Sequence, residues 1–209
     1  MEKKIQMYYN HYYGIGGSTC KRRLVLMRIG VFFGERFEEI EGLTVVDILR
    51  RQGYDVETIS VGHSHHVGGS HGIVFKADFV VDEVWFKTFD MLVLPGGPGH
   101  TNLEKCDLLM KYVKKFGEEG KFVAAICASP SILGRAGLLN GKKVTCFPGY
   151  EAECKGAECT GAEVERDGNI ITGRSAGCAV PFALKIIEAI DGKAKAQAMA
   201  EKIGYDHYE

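Results

Sequence analysis

The sequence predicts an α/β protein, a parallel β-sheet sandwiched between helices. Three observations carry this reading. From Met27 onward, short apolar runs alternate with longer amphipathic segments. The short runs are apolar at consecutive positions, the pattern of strands covered on both faces rather than one. Several of them end in Gly- or Pro-bearing loops, as strands feeding crossover helices do. The 209 residues, 45% hydrophobic and 25% charged, suffice for one substantial core.

The elements follow in order. Ile29–Phe33 reads as a buried strand. Phe37–Gln52 reads as a helix, with Ile40, Leu43, Val45, Val46, Ile48 and Leu49 on a wide apolar face and Gly53 past its end. Val56–Val61 is a strand, and Ile73–Ala77 and Phe79–Val81 are short strands around polar turns. Met91–Leu94 is a buried strand ending at Pro95-Gly96-Gly97, followed by a helix over Leu103–Glu119 that Gly120 can cap. Phe122–Ile126 is another buried strand, and Ser129–Ala136 a short helix. Lys143–Cys146, Glu163–Arg166 and Ile170–Thr172 are strands, the last two joined by a turn at Asp167-Gly168. Helices over Cys178–Ile190 and Lys193–Ile203 close the chain, with Pro181 tolerated in a first turn whose N–H groups have no helical partner.

Residues 1–26 read differently. Tyr, Gly and Lys mix there without a period, so we expect an N-terminal extension, from a mis-assigned start or of non-native origin, before a single domain over 27–209. A native tail packed on the domain is the alternative. The formal net charge of -1 gives no basic excess for nucleic acid, and no apolar run reaches the roughly 18–20 residues of a membrane helix. The N-terminus lacks the apolar stretch of a signal peptide, so a cytoplasmic location is expected. Seven cysteines, an odd number without a CxxC pair, argue against a disulfide framework. Cys154 and Cys159 raise the question of zinc, but no histidine follows at ligand spacing; neither metal nor cofactor is expected.

In parallel α/β sheets, ligands bind beyond the carboxyl ends of the strands. That rule points to the loops Gly34–Glu39, Pro95–Thr101 and Cys127–Pro130. The third holds the chemistry. A buried strand runs directly into Cys127, and Pro130 suits the first turn of the helix after it. Such a sharp strand-to-helix turn resembles a nucleophile elbow, and a helix N-terminus favours a thiolate. Lowering a thiol from about 8.5 to about 5.5 requires roughly 4 kcal/mol. A helix dipole supplies about 0.3–2 kcal/mol, so charge-assisted hydrogen bonds of about 1.5–3 kcal/mol each must supply the rest. The backbone N–H groups of Gly97 and Ala128 are the natural donors, and Gly96-Gly97 lets the main chain approach closely. A buried packing cysteine is the alternative for Cys127, and the preferred reading for Cys106, Cys146 and Cys178.

The strings Phe37-Glu-Glu-Ile-Glu41, Leu94-Pro-Gly-Gly97, Ala124-Ala-Ile-Cys127-Ala-Ser-Pro130 and Asp167-Gly-Asn-Ile-Ile-Thr172 together resemble the ThiJ/PfpI superfamily, most closely its DJ-1 branch. They fall in the family's order and spacing from Met27 to the last helix. The resemblance implies a flavodoxin-like (class I glutamine amidotransferase-like) sandwich and a homodimer. It implies Cys127 as nucleophile, Glu41 as its carboxyl partner, and Gly97 and Ala128 as an oxyanion hole, with Gly96 and His71 near the substrate. His71 falls where relatives present a cationic side chain across the dimer; a surface-loop histidine is the alternative. Without the resemblance, Glu41 would read as a surface helix glutamate like Glu38 and Glu39. A carboxyl beside a thiolate should hold its proton, and the pair should titrate as one unit.

The chain departs from the superfamily at two positions. Protease-like relatives place His after the nucleophile, where this chain has Ala128, and some DJ-1 relatives place His before a proline, where it has Phe147. Acid–base work therefore falls to Glu41, which suits small carbonyl substrates better than amide hydrolysis. The implied function is a glutathione-independent glyoxalase or deglycase acting on α-oxoaldehydes such as methylglyoxal. The alternatives are a redox-sensing stress protein or chaperone working through oxidation of Cys127, and, disfavoured by Ala128, a PfpI-type cysteine peptidase.

Overall fold

The computed structural model describes residues 27–208. The expected extension over 1–26, with Cys20, lies outside the described residues. The chain begins with β1 (Arg28–Phe33), α1 (Glu39–Gln52) and β2 (Asp55–Ser60), then a small hairpin of β3 (His66–Gly68) and β4 (Val74–Lys76). Next come β5 (Phe79–Val80), β6 (Met91–Leu94), α2 (His100–Glu104), α3 (Asp107–Glu118), β7 (Phe122–Ile126) and α4 (Pro130–Arg135). The remainder is β8 (Lys143–Val144), β9 (Glu158–Cys159), β10 (Val164–Asp167), β11 (Ile170–Gly173), α5 (Ala179–Asp191) and α6 (Lys193–Lys202).

Seven strands form one sheet in the order β10-β11-β7-β6-β1-β2-β5. All neighbours are parallel except β10, which pairs antiparallel with β11 and closes one edge. The expected turn at Asp167-Gly168 makes that pair a hairpin, since it leaves no room for a crossover helix. Side chains alternate across the sheet as the pleat requires. Ile29, Val31, Phe33, Met91, Val93, Ala124 and Ile126 face one core with α1, α5 and α6. Phe32, Leu92, Leu94, Val123 and Ala125 face the other with α3 and α4. The expected flavodoxin-like sandwich is thus the observed one.

Several expected boundaries moved for identifiable reasons. The first helix starts at Glu39, because Phe37 bridges to Gly69 and its ring is committed to the core against Phe33 and Phe75. Ile40, expected on its apolar face, is exposed. The helix expected over Leu103–Glu119 is two helices, separated where Cys106 takes an extended conformation. The strand expected at Ile73–Ala77 finds its partner in His66–Gly68. Lys143–Val144 pairs with Glu158–Cys159 outside the main sheet. Among the described residues, no helix is long and apolar enough to cross a membrane.

Candidate active site

Cys127 directly follows β7 and sits at φ 66°, a left-handed conformation that non-glycine residues seldom adopt. Local strain of this kind survives only where surroundings over-determine it. Here its N–H donates to Gly173 O (2.9 Å), and its carbonyl accepts from Phe147 N–H (2.8 Å). Ser129 closes the turn, its N–H donating to Ile126 O (3.1 Å) and its buried hydroxyl to Pro95 O (2.6 Å). Pro130 then starts α4, so the strand, turn and helix form the expected elbow. The side chain is nearly buried, 9% exposed.

Glu41 reaches the elbow from the first turns of α1. It is 1% exposed. Its Oε2 accepts the Gly96 N–H at 2.9 Å. Its Oε1, also buried, has no hydrogen-bond partner among the described residues. The Cys127 thiol is near enough that each group shifts the other's titration. A proton on Oε1 is therefore not committed to any other group of the site.

Gly96 is a steric requirement of this pair. A Cβ there would stand 2.6 Å from Cys127 Cβ and 2.7 Å from Glu41 Oε2. Gly97, at φ +80°, holds the left-handed backbone that aims its N–H at the sulfur, and the Ala128 N–H converges on it too. The four residues expected from the sequence, Cys127, Glu41, Gly97 and Ala128, thus come together.

The electrostatics differ from the expected low thiol pKa. Burial pushes the Glu41 carboxyl up to about 7, against the neighbouring Cys127 thiol and the Gly96 N–H, with the Glu38 charge adding to the rise. Burial, followed by the neighbouring Glu41 carboxylate, pushes the Cys127 thiol up to about 12, against the Gly97 and Ala128 N–H groups. The donors are those expected; the cost of desolvation is what counting donors along the chain leaves out. Two acids this close hold one proton between them over the interval separating their two losses.

His71 has its polar contacts elsewhere. Its Nδ1 lies 3.0 Å from Glu39 Oε2, its N–H donates to Glu39 Oε1 (2.7 Å), and its ring is exposed. Glu39 is correspondingly no surface glutamate: it is buried where the 69–73 loop folds over the start of α1. Burial alone would raise its pKa, but the hydrogen bonds of His71 and Ser70 bring it down to about 2.

Sequence reasoning missed His100. It is buried, its Nδ1 lies 2.9 Å from Gly97 O, and its ring meets Tyr150 edge-on at 5.5 Å. It belongs to the Pro95–Thr101 loop singled out by the strand-end rule, and a histidine in that loop was the available signal. Phe147, where some relatives have His, donates its backbone N–H to the Cys127 carbonyl, and its side chain offers no acid or base.

Residues 27–189 match the model of the DJ-1/PfpI family. A relative from Arabidopsis thaliana, Protein DJ-1 homolog B, is 40% identical over 86% of this chain; the chain spans only 40% of that protein's length. Glutathione-independent glyoxalase DJR-1.2 of Caenorhabditis elegans is 32% identical, over 81% of this chain and 91% of its own. Deglycase PYRAB04690 of Pyrococcus abyssi is 33% identical, over 72% of this chain and 92% of its own. Among solved structures, oxidized DJ-1 of Toxoplasma gondii superposes with TM-score 0.83 at 32% identity, covering 87% of this chain and all of that one. With the elbow, the buried carboxyl and the glycine cradle in the order its motifs require, the chain belongs to the DJ-1/PfpI family.

Proposed function

We propose that this protein is a cysteine-dependent, glutathione-independent glyoxalase or deglycase acting on small α-oxoaldehydes such as methylglyoxal. The observation that carries the reading is the buried pairing of Glu41 with Cys127 beneath two N–H donors. Family relatives named glyoxalase and deglycase support it.

The chemistry follows from a shared proton. The pair holding one proton reacts through the tautomer in which that proton lies on Glu41 and the sulfur is a thiolate held by the Gly97 and Ala128 N–H groups. Sγ attacks the aldehyde carbon, and the new alkoxide takes the Glu41 proton, giving a hemithioacetal. The Glu41 carboxylate then removes the hydrogen from that carbon, leaving an enediolate, and returns it to the adjacent carbon, while the hydroxyl proton on the sulfur-bearing carbon passes to the neighbouring oxygen. The product is a 2-hydroxyacyl thioester on Cys127, which water hydrolyses to the hydroxy acid and free thiol. Methylglyoxal plus water thereby becomes lactate, with no external oxidant. One carboxyl of raised pKa acts as acid and then base, the range in which general acid–base groups are most effective near neutral pH. Gly96 and His71 are assigned to the substrate side, His71 from a second copy. Exposed Ile40, Ile73 and Val74 supply apolar surface for that homodimer.

The test is conversion of methylglyoxal to lactate in buffer free of glutathione and metal. Lactate formation at a rate proportional to protein supports the reading; consumption without lactate refutes it. A redox-sensing role would use the same donors to hold an oxidised sulfur. Ready oxidation of Cys127 by dilute peroxide in a protein inert toward methylglyoxal would favour it.

A further inference from the structure

Three cysteines that the proposed reaction does not use come together beneath the elbow. The sulfurs of Cys146, Cys154 and Cys159 all lie within 4.8 Å of one another. Cys146 and Cys154 are buried, and Cys159 is half-buried. Along the chain they look unrelated, and Cys154 and Cys159 alone lack a ligand partner. The fold supplies it: Cys146 lies just beyond β8, while Cys159, on β9, is in register with Val144 of β8.

Each sulfur stands on a separately fixed piece of backbone. Cys159 is set by the β8–β9 ladder, extended by the Thr160 N–H to Val144 O bond (2.9 Å). Cys154 closes a 3₁₀ turn over Glu151–Glu153, its N–H donating to Glu151 O (3.1 Å). That turn is clamped to α4 by Arg135, which bonds Glu153 Oε2 at 3.0 Å and Glu104 as well. Gly134 of α4 lets the turn approach, since a Cβ there would come within 2.7 Å of Cys154 Cα. Cys146 precedes Phe147, whose N–H holds the Cys127 carbonyl.

We propose that Cys146, Cys154 and Cys159 form a site for a soft, thiophilic divalent cation of the zinc type. Zn–S bonds of about 2.3 Å place neighbouring sulfurs about 3.8–4.0 Å apart, so the observed spacing closes onto a metal by less than about 1 Å. Three thiolates around a d¹⁰ cation satisfy its preference for sulfur. A fourth position falls to water. Binding releases the thiol protons and ties β8, β9 and the 3₁₀ turn together. Through Phe147 and α4 the bound ion braces the backbone that holds Cys127 in its strained conformation. The site is distinct from the Cys127–Glu41 pair and independent of the reaction assigned to it.

The experiment uses the full chain, reduced and metal-free. Cobalt(II) reports thiolate ligation through its sulfur-to-metal charge-transfer band, and zinc affinity is read by competition with a chromophoric chelator. We expect one cobalt bound with thiolate charge transfer in both wild type and Cys127→Ser. Cys159→Ser, a change at the most exposed of the three, should weaken zinc by at least about 10–100-fold, the range for disturbing even a neighbour of a ligand. Zinc should also protect Cys159, the half-buried one of the three, from alkylation in the wild type while leaving the half-buried Cys106 reactive, a readout that needs no variant. The proposal is overturned if no charge-transfer band forms. It is equally overturned if the band is lost in Cys127→Ser but kept in Cys159→Ser, or if zinc leaves Cys159 as open to alkylation as before.

Discussion

Glu41 and Cys127 lie together in a buried site, each shifting the other's titration, and the Glu41 oxygen that does not meet the Gly96 N–H has no hydrogen-bond partner among the described residues. One carboxyl oxygen is thus anchored to backbone and the other is uncommitted. The assigned chemistry rests on that division, and so do the following expectations.

The pH dependence of Cys127 reactivity should be that of a pair. Burial raises Glu41 to about 7 and Cys127 to about 12, so the first proton leaves the pair near the lower value and the second near the upper. Alkylation of Cys127 and kcat/KM should climb as pH rises through the first loss, then level off. Rates measured between about pH 5 and 9 decide this. A rate still rising tenfold per pH unit above about 8 would show an independent, unpaired thiol.

Replacing Glu41 should stabilise the fold at alkaline pH. A carboxyl raised from 4.5 to about 7 binds its proton more tightly folded than unfolded. Its contribution is therefore full below 4.5 and is lost as pH rises to about 7, a change of about 3 kcal/mol. Glu41→Gln lacks that titration. Urea midpoints should diverge in its favour between pH 4.5 and 7 and stay apart above; parallel curves would contradict the shift.

Glu39 should show the opposite sign and His71 the same sign as Glu41. Glu39, lowered to about 2, contributes stability that is present above 4.5 and lost as pH falls toward 2. His71, raised above 6.5 by Glu39 and Glu38, contributes below 6.5 and is lost as pH rises through its folded value. The Tm deficit of His71→Ala should therefore be greatest between about pH 4.5 and 6.5 and shrink on either side. A deficit constant from pH 3 to 9 would make the role purely steric.

Gly96→Ala should abolish turnover while the fold persists. The added methyl must displace Cys127 or Glu41, and a shift of about 1 Å costs on the order of 10²-fold in rate. Overpacking of this kind costs about 1–3 kcal/mol of stability. Gly177→Ala, where a Cβ meets nothing within 4 Å, is the control and should leave both measurements unchanged. Turnover within threefold of wild type in Gly96→Ala would contradict the cradle.

What was legible in the sequence follows physical range. The strands of the sheet centre, such as Met91–Leu94 and Phe122–Ile126, are apolar at every position because both faces are covered, and they were read at their observed bounds. The elbow was legible because a buried strand, a cysteine and a helix-starting proline are adjacent in the chain. Glu41 was not legible from spacing, since its burial is created by Gly96, a residue far along the chain; only the family motif marked it. His100, the burial of Glu39 and the meeting of Cys146 with Cys154 and Cys159 were missed for the same reason. Each depends on loops folding back over distant backbone, and no local period records that.

The most direct measurement is lactate formation from methylglyoxal by wild type, Cys127→Ala and Glu41→Gln, alongside alkylation of Cys127 in the last. The account predicts no lactate from Cys127→Ala. It predicts a loss of about 10²–10⁴-fold in Glu41→Gln, the usual worth of a general acid–base, with the thiol still open to alkylation. Wild-type turnover in Glu41→Gln, or lactate from Cys127→Ala, would contradict the shared-proton mechanism.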